Sequence, residues 1–303
     1  INFEPEISTS NEMTVVKEPI SPLGKDLRSY IKLKGPITLH DYMAQGLNHL
    51  LHGYYQGKGE VIGEGGDFIT APEVSQLFGE MLGIWCLSMW ENMGKPDKLY
   101  LIELGPGKGT LMKDIMKVSA RFPEFQKAIS VHFVELSTVL RRRQYDALQC
   151  TGLLESITTS NNSNNSNGHT YHTSDGVTVS WHSFLQQVPS DAPVLVIGQE
   201  FLDAFPVHQF VYTEKGWREK LVDVSTTTST PSKKPQVAGS NERIAAAKKE
   251  VSSISDIARP SAKIGDGVEI SPLAIATCED VAQRVVNCGG AALLVDYGED
   301  FTQ

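Results

Sequence analysis

The chain has little with which to build a disulfide scaffold or to cross a membrane. Its four cysteines, Cys86, Cys150, Cys278 and Cys288, are scattered over 303 residues and form no C-x-x-C pair. They read as buried, reduced thiols of a reducing compartment. No apolar run reaches the roughly 18 residues of a membrane-spanning helix; the richest, Met81 to Trp90, reads as a buried helix. Basic residues are outnumbered, 27 against 36, giving a net charge of −9. That balance argues against a non-specific nucleic-acid binder, which carries a basic face. It is compatible with a basic peptide substrate and equally with a plain solubility role. His, Cys and acidic residues nowhere recur at metal-ligand spacing, His49 and His52 being too few, and no G-x-S-x-G nucleophile elbow is present.

What is there is concentrated between Leu99 and Met116, LYLIELGPGKGTLMKDIM. An apolar run ends in acidic Glu103. Glycines follow at 105, 107 and 109, and an amphipathic segment begins at Thr110. The pattern is strand, tight glycine loop and helix in succession. Glycines there let the backbone approach a ligand closely, and the helix N-terminus offers free N–H groups and partial positive charge. A dinucleotide loop reads G-x-G-x-x-G; here the third glycine comes one position early, with Thr110 in the last small place. Glu103, two residues before the first glycine, is also foreign to that fingerprint. S-adenosylmethionine, with an amino acid, a sulfonium and an adenosine but no pyrophosphate, fits better, and a dinucleotide remains the weaker alternative. The next apolar run, Val131–Val134, ends in Glu135, a carboxylate that can accept both ribose hydroxyls or else cap the helix near Thr138.

The chain starts at Ile1 and stops eight residues after the strand-like run Ala291–Val295, so it is expected to be a fragment. Residues 1–22 are polar, acidic and expected to be disordered. Residues 23–94 are helical in pattern: Leu23–Lys34, Leu39–Leu51 and a longer helix, Glu73–Met93, whose Met81, Trp85, Met89 and Trp90 read as core. Residues 95–205 alternate strands (Leu99–Leu104, Val131–Leu136, Val177–Trp181, Val194–Ile197) with helices at Thr110–Phe122 and Thr138–Gln149, interrupted by a polar insertion at 158–170. Residues 206–271 hold a hairpin, Val207–Tyr212 with Trp217–Val224, and a mobile Ser/Thr/Pro-rich loop at 225–240. Residues 272–303 return to the sheet through a helix, Cys278–Asn287, and the strand Ala291–Val295. Apolar, β-branched strands alternating with helices give an α/β fold, a mostly parallel, doubly wound sheet covered on both faces.

Four segments together resemble the MidA-like class I methyltransferases: Gly53–Trp85, Leu101–Leu111 (LIELGPGKGTL), Glu200–Phe210 (EFLDAFPVHQF) and Leu293–Glu299 (LLVDYGE). The first and third are the specific ones. The resemblance implies a Rossmann-like fold with a helical N-terminal region and an inserted substrate-facing module. It implies methyl transfer from S-adenosyl-L-methionine to an arginine of a respiratory complex I subunit in the mitochondrial matrix. It also implies two further sheet strands after the Asp-Tyr-Gly segment, which this chain lacks. Gln199 stands where the family has Asn, so a hydrogen bond near the methyl group is expected to shift.

The candidate site follows. Glu103, Gly105, Gly107, Gly109 and Glu135 face the cofactor. Trp181 and His182, after the third strand, either cradle adenine or, for the indole, belong to the core. Asp67, Thr70 and Glu73 lie on a glycine-rich stretch that can close as a lid and exclude water; Glu73 could instead be a first-turn helix acid. Glu200 and Asp203 follow the fourth strand. A planar, protonated guanidinium matches a carboxylate fork, so Glu200 is the first choice as catalytic and substrate-binding residue and Asp203 the second, with a turn-shaping role as the alternative for Asp203. His208 reads as a packed strand histidine. Two other functions stay open: a cofactor-binding assembly factor with little turnover, and a small-molecule methyltransferase. A nucleic-acid amino methyltransferase is disfavoured, because Gln199-Glu200-Phe201-Leu202 replaces the Asn/Asp-Pro-Pro-aromatic motif.

Overall fold

A computed structural model describes residues 20–49, 51–54, 69–152, 170–224 and 262–298. Asp67, the two polar insertions and most of segment 1–22 lie outside them. Two short N-terminal helices, α1 (Pro22–Lys34) and α2 (Leu39–Asn48), flank the two-residue strand β1 (Ile37–Thr38). The predicted helix Glu73–Met93 is two: α3 (Ala71–Val74) and α4 (Gln76–Asn92). Ser75 breaks it. Its backbone is extended (φ −150°, ψ 122°) and its Oγ accepts from the Leu77 N–H at 3.2 Å, because a serine oxygen satisfies a first-turn donor better from outside a helix than within it.

The core then alternates: β2 (Leu99–Leu104), α5 (Thr110–Ser119), α6 (Pro123–Ala128), β3 (Ile129–Val134), α7 (Thr138–Ala147), β4 (Thr170–His172), β5 (Thr178–His182) and β6 (Val194–Gln199). An antiparallel unit follows, β7 (His208–Thr213), β8 (Gly216–Glu219), the short β9 (Leu221–Val222) and β10 (Gly267–Ile270), before α8 (Pro272–Cys288) and β11 (Gly290–Val295) return to the sheet. The six-stranded order is β11-β6-β2-β3-β5-β4, parallel except for β4. The chain leaves β2 in one direction through β3 and β5, and comes back on the other side through β6 and β11. The switch point therefore lies between β2 and β6, where ligands bind outside the carboxyl ends of such strands.

Side chains of β2 alternate between two cores. Leu99 and Leu101 pack with Cys86, Trp90, Met112 and Phe125 on the α4–α5 face; Tyr100, Ile102 and Leu104 pack with Leu185 and Val281 on the α8 face. Helices α4 and α5 touch through glycine: a Cβ on Gly79 would lie 2.6 Å from that of Asp114, and one on Gly83 2.9 Å from that of Val118. Of the expected core of α4, Trp85 and Met89 are partly buried against the same cluster. Trp90 is buried, but Met81 is 57% exposed, together with Leu77 and Ile84, so the apolar stripe wraps wider than the face that α5 covers. The thiols divide in the same way: Cys86 and Cys150 are buried, Cys288 is partly so and Cys278 is exposed, and all four are free.

The hairpin forms as β7–β8, and β10 adds to the other edge of β7. This third strand was missed because GVEI is short and separated from its partner by a long stretch of sequence. Helix α8 starts earlier than its apolar pattern shows. Ser271 Oγ accepts from Ala274 N–H at 3.3 Å and Pro272 opens the first turn, a combination that sets a helix start. No helix among the described residues is long and apolar enough to cross a membrane.

Candidate active site

A cavity of about 480 Å³ opens at the carboxyl ends of β2, β3, β5 and β6. Leu104, Gly105 and Gly107 form its floor, Glu135 and Leu136 one wall, Ser183 and Phe184 another. Glu200, Phe201 and Phe205 form a third, and α8 covers it with Leu273, Thr277 and Asp280. It is of the size that encloses a nucleoside-sized ligand.

The loop after β2 is shaped by what packs behind it. Gly105 has φ +61°, and a Cβ there would meet the Phe201 Cβ at 2.9 Å. Gly109, φ +83°, abuts the Gln144 backbone at 3.2 Å. Gln144 is fully buried and joins the site together. Its Nε2 donates to the Gly107 carbonyl at 2.7 Å and to Glu135 Oε2 at 3.3 Å, and its Oε1 accepts from the Trp181 indole at 2.8 Å. Glu135 Oε1 accepts from the Ser137 N–H at 2.7 Å. Arg141 Nε donates to the Glu135 carbonyl at 2.8 Å, and its Nη2 to Ser183 Oγ at 3.0 Å, tying the ends of β3 and β5 together. Burial pushes the Glu135 carboxyl up, against the pull of these bonds. Gln144 and Arg141 were invisible in sequence. The only signal was two long polar residues on the inward face of α7.

The adenine expectation is corrected. Trp181 lies in the core against Phe133, Tyr145 and Tyr171. His182, on the opposite face, places Nε2 3.0 Å from His132 Nδ1 and is likewise buried. Successive strand residues face opposite sides, and neither Trp181 nor His182 lines the cavity; Ser183 and Phe184, just past the strand, do. Phe184 and Leu136 both line the cavity and are 58% and 59% exposed.

Glu103 is 3% exposed and its Oε2 has no hydrogen-bond partner. Burial, and then the nearby Glu135 carboxylate, holds its carboxyl well above the usual range. The folded protein thus keeps a proton that the unfolded chain releases near pH 4.5, so the associated stability is full below that pH and declines as pH rises toward the folded value. Glu103→Gln removes the penalty. Thermal unfolding of the ligand-free protein is expected to show the variant melting ~2 °C above wild type at pH 8, with the difference shrinking at pH 5. Equal melting at both pH values would show Glu103 ionised in the fold.

On the acceptor side, Gln199 Nε2 donates to Glu200 Oε1 at 2.7 Å, while Gln199 Oε1 is buried without a partner. Glu200 has φ +48° and lines the cavity. Asp203 does not; it is exposed and accepts a hydrogen bond from the Tyr297 hydroxyl. Glu73 is also turned elsewhere, accepting from the Thr110 hydroxyl at the start of α5. Thr70 caps α3 with its backbone, without a side-chain capping bond. His208 Nδ1 lies 2.7 Å from Glu219 Oε1, and its ring stacks on His40.

Known proteins share this fold. A solved structure from Burkholderia thailandensis, crystallised bound to S-adenosyl-homocysteine, superposes with a TM-score of 0.63 at 24% identity, over 91% of this chain and 62% of that one. A second from the same organism gives 0.60 at 26% identity, over 91% and 61%. The chain is 38% identical over 298 residues to the human mitochondrial protein arginine methyltransferase NDUFAF7 (98% of this chain, 63% of that protein). It is 40% identical over 270 residues to the Xenopus laevis protein of that name (88% and 58%). It thus spans about 60% of the length of these relatives. Residues 81–303 match the family described as "Putative S-adenosyl-L-methionine-dependent methyltransferase", and to that family the chain belongs.

Proposed function

We propose that this chain carries the cofactor and acceptor sites of an S-adenosylmethionine-dependent protein arginine N-methyltransferase. By likeness to its relatives it acts in mitochondria on protein arginine, and by the family resemblance of its sequence the acceptor is a subunit of respiratory complex I. The observation that carries the reading is the Glu200 carboxylate, which lines the glycine-loop cavity from the end of β6, across from Glu135 at the end of β3. The residues present fit the cofactor. The turn at Gly105 and Gly107 leaves room for its amino-acid end, Glu135 retains acceptor capacity for ribose hydroxyls, and Leu136 and Phe184 offer apolar faces to adenine.

When bound, the cofactor supplies an electrophilic methyl group on a cationic sulfur. What the chain does is align and desolvate. Glu200 binds the guanidinium, holds its plane and draws positive charge toward the bonded nitrogens, leaving the third available to attack. The attacking nitrogen would take the methyl as the carbon–sulfur bond breaks and leaves a neutral thioether, and would then lose one proton; Glu200, already bonded to the group, can hold that proton on its way to solvent. Phe201 and Phe205, packed edge to face with centroids 5.3 Å apart, keep water from that side. Asp203 is at most a support here, and Gln199 steadies Glu200 through its amide.

Glu200→Gln tests the reading. The variant is expected to bind S-adenosylhomocysteine within about twofold of wild type while losing ~100-fold in methyl transfer to arginine, the order expected when a positioned carboxylate is removed. The assay follows radiolabelled methyl into proteins of a mitochondrial matrix extract. Undiminished transfer would sink the role of Glu200. A variant inert in transfer that still supported complex I assembly would favour a binding factor over an enzyme.

A further inference from the structure

The loop bearing Glu200 is held from a distance of 94 residues along the chain. We propose that Asp296 and Tyr297, just past β11, are positioning residues that fix the acceptor carboxylate, an inference that rests on reading Glu200 as the guanidinium ligand. Four bonds make the connection. Glu200 N–H donates to the Val295 carbonyl at 2.8 Å. Leu202 N–H donates to Asp296 Oδ2 at 3.1 Å. The other oxygen of Asp296 accepts from the Tyr297 N–H at 2.9 Å, and the Tyr297 hydroxyl donates to Asp203 Oδ2.

The loop needs such a hold. Glu200 sits at φ +48°, in the left-handed region that a glutamate adopts only where its surroundings over-determine it. Its neighbour Phe201 is wedged between two glycines: a Cβ on Gly198 would lie 2.6 Å from the ring and one on Gly105 2.9 Å from Phe201 Cβ. Glu200 is thereby pinned on both sides, by Phe201 against the glycine loop and by the bonds from β11. Packing does not account for Tyr297, whose side chain leaves the residue 71% exposed. What a tyrosine offers over phenylalanine there is the hydroxyl, and the Asp203 carboxylate it serves pushes the phenol up to about 12. Asp203 is therefore the far anchor of the clamp, with no place in the cavity wall. Strands β6 and β11 are parallel neighbours, so the clamp joins the ends of two strands whose spacing the sheet already sets.

The test uses the full chain saturated with S-adenosylhomocysteine and titrated with acetyl-arginine amide, followed by NMR. Tyr297→Phe and Asp296→Asn are each expected to weaken the arginine probe ~10-fold and to leave S-adenosylhomocysteine affinity within about twofold. In a Glu200→Gln background they are expected to add nothing, because residues acting through one group are non-additive. Weakening of the same size with and without Glu200, or unchanged affinity in both single variants, would overturn the positioning role while leaving Glu200 in place. A wild-type complex that fails to bind the probe, or binds it no better than Glu200→Gln, overturns the reading of Glu200 and this inference with it. Tyr297→Phe removes one hydroxyl from an exposed ring, so its fold is not at issue.

Discussion

Gly105→Val is expected to abolish cofactor binding, weakening S-adenosylhomocysteine by more than ~100-fold in calorimetry. Two costs combine at this residue. Its φ of +61° lies where a β-branched side chain is a genuine outlier. The new Cβ would also stand 2.9 Å from the Phe201 Cβ, closer than atoms in a packed interior tolerate. Phe201 cannot step back, because its ring already fills the space above Gly198. The loop must therefore move into the cavity it borders, and the backbone that should approach the ligand occupies the ligand's space. The loss should be a binding loss with a folded protein. An unfolded variant would make the result uninformative about the site, so Gly105→Ala is measured beside it; it keeps the φ cost, lacks the β-branch, and is expected to fall between the two. Wild-type affinity in Gly105→Val would mean that the ligand does not use this loop.

The second large effect is on stability in acid. His132 and His182 are buried side by side, linked Nδ1 to Nε2 at 3.0 Å, with Tyr100 edge-on against His132. The Nε2 of His132 has no partner. Buried orphan N–H groups are rarer than buried orphan acceptors, so the pair is best satisfied with His132 Nδ1–H donating and Nε2 left as a lone pair. Neither ring can be charged cheaply: burial lowers His132 to about 3 and His182 to about 4, from 6.5. The unfolded chain takes up these protons below pH 6.5 while the native state does not. The stabilisation is fully present above that pH and is lost as pH falls toward 4. The loss from His182 alone is about 3 kcal/mol, a substantial share of the margin of a typical domain. Urea unfolding at pH 7 and pH 4.5 should show the fall. A His132→Leu, His182→Leu double variant should flatten that part of the profile, and an unchanged slope would place acid sensitivity elsewhere.

The sequence alone determined the strand–loop–helix at Leu99–Met116, because spacing of apolar residues and glycines is local information. It also determined the parallel core, since apolar runs alternating with amphipathic ones leave few other solutions. That Gly105, Gly107, Glu135 and Glu200 border the cavity was legible for the same reason: each follows a strand, at the carboxyl edge where such sheets open a crevice. What only the tertiary structure decided depends on which face a side chain takes and on partners far away in sequence. A one-residue step turned Trp181 and His182 to opposite faces and gave the cavity to Ser183 and Phe184. Gln144 became the centre of the cofactor wall only when α7 packed against the glycine loop. Asp203, legible either as a second substrate ligand or as a turn-shaping residue, stands outside the cavity lining and accepts a hydrogen bond from Tyr297, 94 residues away. Met81 stayed exposed because periodicity shows that a helix has an apolar face, whereas the neighbour α5 decides how much of that face is covered.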